Sequence, residues 1–399
     1  MFIQQQRILW VVICSVAAAA ASYAGVLYDP QVLETHRAAW RNGAPALVSA
    51  VDVLLAGADD ALSAGPFSVT FKDETPPSGD KRDYMSQGPY WWPNPDTDDG
   101  LPYVRRDGER NPEGDRLDRQ SMGRMASAAT TLALAWFFTG REDYARHGAE
   151  LLRTWFLSPE TGMNPHLEYG QRIPGRTEGR GIGIIDSRSL IPVCDAALLL
   201  RTSEAWTDAE HEALQAWFRT FFAWLLESDH GRDEARHPNN HGTWYDAQVA
   251  AFALFVGDTD RARNTIAVSA RARLKEHIEP DGRQPHELGR TLPAAYSMFN
   301  IEGYVELADM GERLGLDLWR HETDDGRSLR AALDYLVQYA FGEHAWPYED
   351  LRGPNWERLA PTLRRAAVAY DAPEYEALLQ RMLGDDAPAQ RFNLLYPAP

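Results

Sequence analysis

Cysteine is nearly absent from this 399-residue chain, which holds only Cys14 and Cys194. If the N-terminal segment is removed, Cys194 stands alone and an internal disulfide is excluded; a chain of this length can stabilise itself by burial instead. Cys194 sits in the apolar run IPVCDAAL and is expected to be a buried small hydrophobe. Lysine is also scarce, occurring only at positions 72, 81 and 275, so nearly all cations are arginines. Positive charge is short overall, with 40 basic against 58 acidic residues and a net charge of −18. That balance argues against nucleic-acid binding. It does not exclude an anionic substrate, because the field in a cleft depends on local groups, and basic residues are expected to concentrate there. Sustained period-two alternation is missing too, which leaves an α-helical body.

The first residues have the form of a secretory signal. Arg7 precedes an apolar run over 8–21, followed by the small residues around Ser22, Tyr23 and Ala24. The run is short for a membrane span of ~20 residues. Cleavage is expected near Ala21 or Ala24, which gives a signal peptide at 1–24 and a single domain at 25–399. The mature protein is then periplasmic or secreted, with no stable membrane association. Its oligomeric state is left open.

Helical periodicity begins at 36–63, with a break near Gly43 and Pro45. Residues 65–114 differ in character, being rich in Pro, Gly, Asp and aromatics. A loop this long is uncommon in a compact domain unless functional or disordered. Tyr84, Tyr90, Trp91 and Trp92 suit a packed loop with rings free to stack on sugars. Helices are expected at 117–138 and 142–156, and the same pattern returns at 248–255 and 261–277. In both pairs an apolar helix end meets a glycine cap, Gly140 or Gly257, before an acidic restart. Thr207 to Glu210 forms a capping box that opens another helix. Further helices fit 295–314, 328–339 and 357–369, while 158–183 and 230–241 are irregular. Repeated αα-hairpins suggest an all-α helical toroid.

The chemistry is organised around NNHGTWYD, where Asn240 and His241 stand at the mouth of an apolar helix. Such a helix start leaves N–H groups unsatisfied and attracts anions. ELGRTLPAAYSMFN supplies Arg290 and Tyr296 as a facing wall. These two motifs, with PPSGDKRDYMSQGPYWWPNP, GLPYVRRDGERNPE and TGMNPHLEYGQ, resemble the alginate-lyase-domain polysaccharide lyases, which include poly-mannuronate and glucuronan lyases. The resemblance covers roughly residues 67–319. It implies an (α/α) toroid, an incomplete barrel of helical hairpins with long loops over the cleft. It also implies an active site of Asn240, His241, Arg290 and Tyr296.

β-Elimination needs these residue types. It removes H5 of a uronic acid and expels the sugar at O4. Asn240 and His241 are expected to donate to the substrate carboxylate, stabilising charge that develops as H5 leaves. Tyr296 takes H5 as phenolate and returns a proton to O4. Free tyrosine titrates near ~10, and Arg290 is expected to lower that value. In mannuronate and glucuronate H5 and O4 are syn, so one tyrosine serves both steps. In guluronate they are anti, and His241 is the candidate for a second group. Tyr84, Gln87, Trp91, Arg105, Arg106, Asn164 and Gln171 are the candidate substrate contacts. No cofactor is called for. A metal held by His230, His237 and His241 is disfavoured by their irregular spacing.

Blander readings exist for each residue: Asn240 as a helix cap, His241 as a structural histidine, Arg290 as an ion-pair partner of Glu287, Tyr296 as a core aromatic. Two other functions compete. One is a glycoside hydrolase on the same toroid, using a carboxylate pair from Asp80, Asp186 and Glu287. The other is a non-catalytic polysaccharide-binding or export protein.

Overall fold

The computed structural model describes residues 25–399. The expected signal segment at 1–24 lies outside the described residues. Two short helices come first, α1 (Pro30–Arg41) and α2 (Pro45–Ala61), broken at Gly43 as the sequence suggested. The hairpin of α3 (Asp118–Thr139) and α4 (Glu142–Leu152) follows, then α5 (Ile191–Leu200), which packs on α3, and α6 (Asp208–Glu227). After the short α7 (Asp229–Glu234) come α8 (Asn240–Val256), α9 (Thr259–Asn264), α10 (Arg271–His277) and α11 (Pro285–Leu288). The chain ends with α12 (Pro293–Arg313), α13 (Leu329–Ala340), α14 (Ala360–Ala369), α15 (Pro373–Leu383) and α16 (Phe392–Leu395).

Glycine ends the helices where the sequence placed it. Gly140 caps α3 at φ 75° and Gly257 caps α8 at φ 88°, and each donates its N–H to a carbonyl of the last turn. The left-handed region costs glycine no Cβ clash. The capping box of Thr207 and Glu210 starts α6. Two features were not foreseen. The helix expected over 261–277 is interrupted by a π segment at Thr265–Ala270, and α4 runs into another at Arg153–Leu157. Hydrophobic period alone does not distinguish such widened turns.

Neighbour follows neighbour around a ring, in the order α2, α3, α5, α8, α12, α14 and α15. The turn Gly384–Ala389 packs against both α15 and α2 and closes it. This is a helical toroid. α8 is apolar nearly all round and correspondingly buried nearly all round, including Trp244, Tyr245 and Phe252. α3 is buried likewise over its second half, and Cys194 on α5 is fully buried.

The segment 65–114 lies over one end of the ring. It contributes short strands β1 (Met85–Gln87), β2 (Trp91–Trp92) and β3 (Val104–Arg105), and β4 (Tyr169–Arg172) joins from the next irregular segment. β1 pairs parallel with β4, and β2 pairs antiparallel with β3. A buried ion pair ties the segment to the ring: Lys72 Nζ lies 2.9 Å from Asp118 at the start of α3. Lys72 also donates to the carbonyls of Val69, Lys81 and Asp83, so its remaining protons are satisfied. Among the described residues no helix is long and apolar enough to cross a membrane.

Candidate active site

α8 begins at Asn240, eight residues before the stretch 248–255 that its apolar content marks as helical, and this sets the orientation of the site. Asn239, not Asn240, is the N-cap; its side chain accepts from the His241 N–H at 3.2 Å. Asn240 is free for another task. Its backbone N–H and its Nδ2 donate to the two carboxylate oxygens of Glu287, at 2.6 and 2.8 Å. Glu287 is almost wholly buried on α11, and burial holds its carboxyl above the usual range. A carboxylate against the first turn of a helix also complements the helix dipole. The contact consumes one N–H of the Asn240 amide and leaves the other.

His241 is anchored from the opposite side. Its Nδ1 lies 2.8 Å from Oε1 of Glu234, which is fully buried at the end of α7. The turn between α7 and α8 is clamped by Arg273, which donates to the carbonyls of Ala235 and His237 and pairs with buried Asp246 at 2.8 Å. That guanidinium occupies the space beside Gly242: a Cβ there would lie 2.0 Å from Arg273 Nη1 and 2.3 Å from the His237 carbonyl. The glycine of NNHG is therefore needed for a close approach.

Arg290 and Tyr296 come from α12 and the turn before it. Arg290 forms a two-point pair with Asp107, at 3.1 and 2.9 Å. The expected ion-pair alternative, Glu287, is engaged by Asn240 instead. The Arg290 guanidinium also stands 3.9 Å from the centre of the Tyr296 ring. The Tyr296 hydroxyl is 2.5 Å from that of Tyr90. The β2–β3 hairpin thus reaches across to α12 through both Tyr90 and Asp107. The effect of Arg290 on Tyr296 is smaller than expected. Burial raises the phenol well above its ordinary value, the Tyr90 side chain adds to the rise, and the Arg290 charge offsets only part of it.

Asn240, His241, Arg290 and Tyr296 line one cleft of about 590 Å³. Among the described residues its walls carry six arginines (Arg105, Arg119, Arg180, Arg188, Arg290 and Arg358) and no aspartate or glutamate. In a chain of net charge −18, basic side chains are thus concentrated at this cleft, as the sequence led us to expect. Two of these arginines lack a carboxylate partner among the described residues. Arg180 donates to the backbone and side-chain oxygens of Gln171, and Arg188 donates to the Ile185 carbonyl and faces the rings of Trp244 and Phe299. Burial shifts both guanidinium values down, yet guanidinium is basic enough to keep its charge. An anion entering the cleft would meet cations whose charge is not already neutralised by a bound carboxylate.

The candidate substrate contacts divide. Trp91, Arg105 and Gln171 line the cleft. Gln171 is nearly buried, and its amide is committed to Asp186 and Arg180, so it acts on the cleft by holding Arg180. The other four are placed away from the lining. Tyr84 is fully buried and donates to Asp186 at 3.0 Å. Gln87 is buried against Gly114. Asn164 is bound to Asp80 and Asp83. Arg106 stacks on Trp92 at the surface. Aromatic and amide residues of the irregular segments look alike in the sequence, but Tyr84, Gln87 and Asn164 hold those segments in place. Arg119, Arg180, Arg188 and Arg358 were missed, because single arginines in a chain rich in them carry no local signal. Tyr90 reads in the sequence only as a loop aromatic, and nothing local marks Asp107 or Glu234.

The carboxylates proposed for hydrolysis do not face each other across the cleft. Asp186 is buried under Tyr84, Ser86, Gln171 and Arg119, Glu287 is bound to Asn240, and Asp80 binds Asn164. His230 is turned toward Glu168.

A model of the alginate lyase family matches residues 68–346. Among solved structures, an alginate lyase from Bacteroides ovatus is 41% identical, with a TM-score of 0.89 over 93% of this chain and 98% of that one. Alginate lyase A1-III from Sphingomonas species A1 shares the fold at 15% identity, with a TM-score of 0.59 over 95% of this chain and 99% of that one. A histidine-to-alanine variant of alginate lyase A1-III, complexed with a tetrasaccharide, matches at 15% identity and a TM-score of 0.59, over 96% of this chain and 98% of that one. The comparison with curated proteins gave no match.

Proposed function

This chain belongs to the alginate lyase family and is a polysaccharide lyase; we propose that it cleaves a 1,4-linked uronic-acid polymer, alginate or glucuronan, by β-elimination in the arginine-lined cleft. The observation that carries this reading is the cleft wall itself: six arginines, the Asn240–His241 pair and Tyr296, with no carboxylate among them. Such a wall suits a polyanion and lacks the acid pair that hydrolysis needs.

The substrate carboxylate sits at the mouth of α8, beside His241, where the free amide N–H of Asn240 and the Arg290 guanidinium donate to it. These donors stabilise the enolate-like charge that builds as H5 departs. Tyr296, protonated at rest, is ready to donate to O4. To act as a base toward a syn H5 it must first lose that proton, and the Tyr90 hydroxyl in contact with it would relay it, giving its own proton to solvent as it takes the one from Tyr296. The electron pair of the C5–H bond then forms the C4=C5 double bond as the C4–O4 bond breaks. The signal-like sequence at 1–24 supports a periplasmic or secreted site for this reaction.

Mass spectrometry of products from polymannuronate, polyguluronate and glucuronan tests the reading. A lyase leaves fragments one water lighter than a hydrolase would, and the polymer consumed names the substrate. Hydrolytic masses, or binding without turnover on all three polymers, would sink it.

A further inference from the structure

Glu234 is fully buried, and its carboxylate makes a single hydrogen bond through a side chain of the cleft. Oε1 lies 2.8 Å from His241 Nδ1, while Oε2 has no hydrogen-bond partner among the described residues. A buried carboxylate with an unused oxygen is costly, and that cost is offset when a positive charge forms on the imidazole against it. α7 is held in place to present it: Ser228 caps the Gly231 N–H, and a side chain at Gly231 would strike the Leu225 carbonyl at 1.9 Å. Resting on the lyase reading above, we propose that Glu234 is a positioning residue that holds His241 in the Nδ1–H tautomer, and that it thereby equips the cleft to eliminate guluronate, whose H5 and O4 are anti.

The carboxylate can only accept, so neutral His241 must carry its proton on Nδ1. Its Nε2 lone pair then faces the cleft as a base. When H5 passes from C5 to Nε2, His241 becomes an imidazolium directly against Glu234, which supplies the opposing charge. The C5–H electron pair forms the C4=C5 bond, the C4–O4 bond breaks, and O4 takes the proton of the Tyr296 hydroxyl. Imidazolium and phenolate remain, and transfer of the proton from one to the other through solvent restores the site. Without Glu234 the proton is free to sit on Nε2, and the base is lost. Syn elimination of mannuronate through Tyr296 does not use that lone pair.

Glu234→Gln, compared on polyguluronate and polymannuronate, tests this. On polyguluronate kcat should fall by roughly 10²-fold or more, the scale of a lost general base, with KM little changed. On polymannuronate kcat should stay within an order of magnitude. Imidazole nitrogen shifts of 15N-histidine protein, with the signal identified through His241→Gln, should show Nδ1–H in the wild type and Nε2–H in Glu234→Leu. If Glu234→Leu does not fold, the wild-type spectrum and the Glu234→Gln kinetics carry the test. Equal losses on both polymers, a rise in KM alone, an Nε2–H wild type, or a wild type that cleaves polymannuronate but not polyguluronate would overturn the proposal. A wild type inert on every uronate polymer would instead overturn the substrate reading, and the spectrum would still report the tautomer.

Discussion

A buried phenol resists ionisation, and Tyr296 is held in that state by its surroundings. Burial and the neighbouring Tyr90 side chain raise it, while Arg290 at 3.9 Å pulls the other way without prevailing. The phenol is therefore the resting form at neutral pH, and syn elimination should accelerate as pH rises toward the Tyr296 titration. Tyr90→Phe removes a hydrogen bond and an acidic neighbour that both favour the phenol. The alkaline limb of the pH–rate profile on polymannuronate should move to lower pH in that variant; a limb that stays put or moves up would detach Tyr90 from the proton path. The four central residues were legible because their motifs are local. Asn240 and His241 are adjacent, and Arg290 and Tyr296 lie six apart. Their partners were not legible, since Asp107 reaches Arg290 from 183 residues away and Glu287 reaches Asn240 from 47. Pairing at such separation is set by the ring, not by the local string.

At the scale of the element, the start of α8 decides where the chemistry points. Apolar content located this helix, and Asn239, Arg273 and Asp246 determine its first turn. Gly242→Ala would push a methyl group into Arg273 and the His237 carbonyl. We expect a loss of about 1–3 kcal/mol, the usual cost of overpacking, measured by urea denaturation, with activity falling further because His241 shifts. An unchanged midpoint would mean that Arg273 gives way freely and does not clamp the turn. Glycine caps and the capping box made α3, α6 and α8 readable in advance. The π segments and the four-residue α11 were not, because they leave no distinctive period. α11 carries Glu287, so the partner of both Asn240 donors lay in an element the sequence did not announce.

For the whole molecule, the toroid sets a basic cleft within an acidic protein. Arg180 and Arg188 keep their charge without a carboxylate partner among the described residues, so the ground-state attraction for a polyanion is strong at low salt and screened at high salt. KM for the polymer should rise several-fold between about 0.01 M and 0.15 M ionic strength, where the screening length falls from about 30 to 8 Å, with kcat nearly constant. Arg188→Met should flatten that dependence. A salt-independent KM would indicate that the cleft arginines serve the fold and not the substrate. The net charge pointed away from nucleic acid and left room for this arrangement, but it could not say which arginines would converge.

The central claim is that this cleft breaks the glycosidic bond by elimination, with Tyr296 handling a proton. The most direct measurement follows the ultraviolet absorbance of the unsaturated uronate and the release of reducing ends together, for wild type and Tyr296→Phe. The account predicts that both signals rise in step with the wild type, and that the variant loses roughly 10²- to 10⁴-fold in rate while still binding polymer. Reducing ends released without the absorbance, or a Tyr296→Phe variant as fast as the wild type, would contradict it.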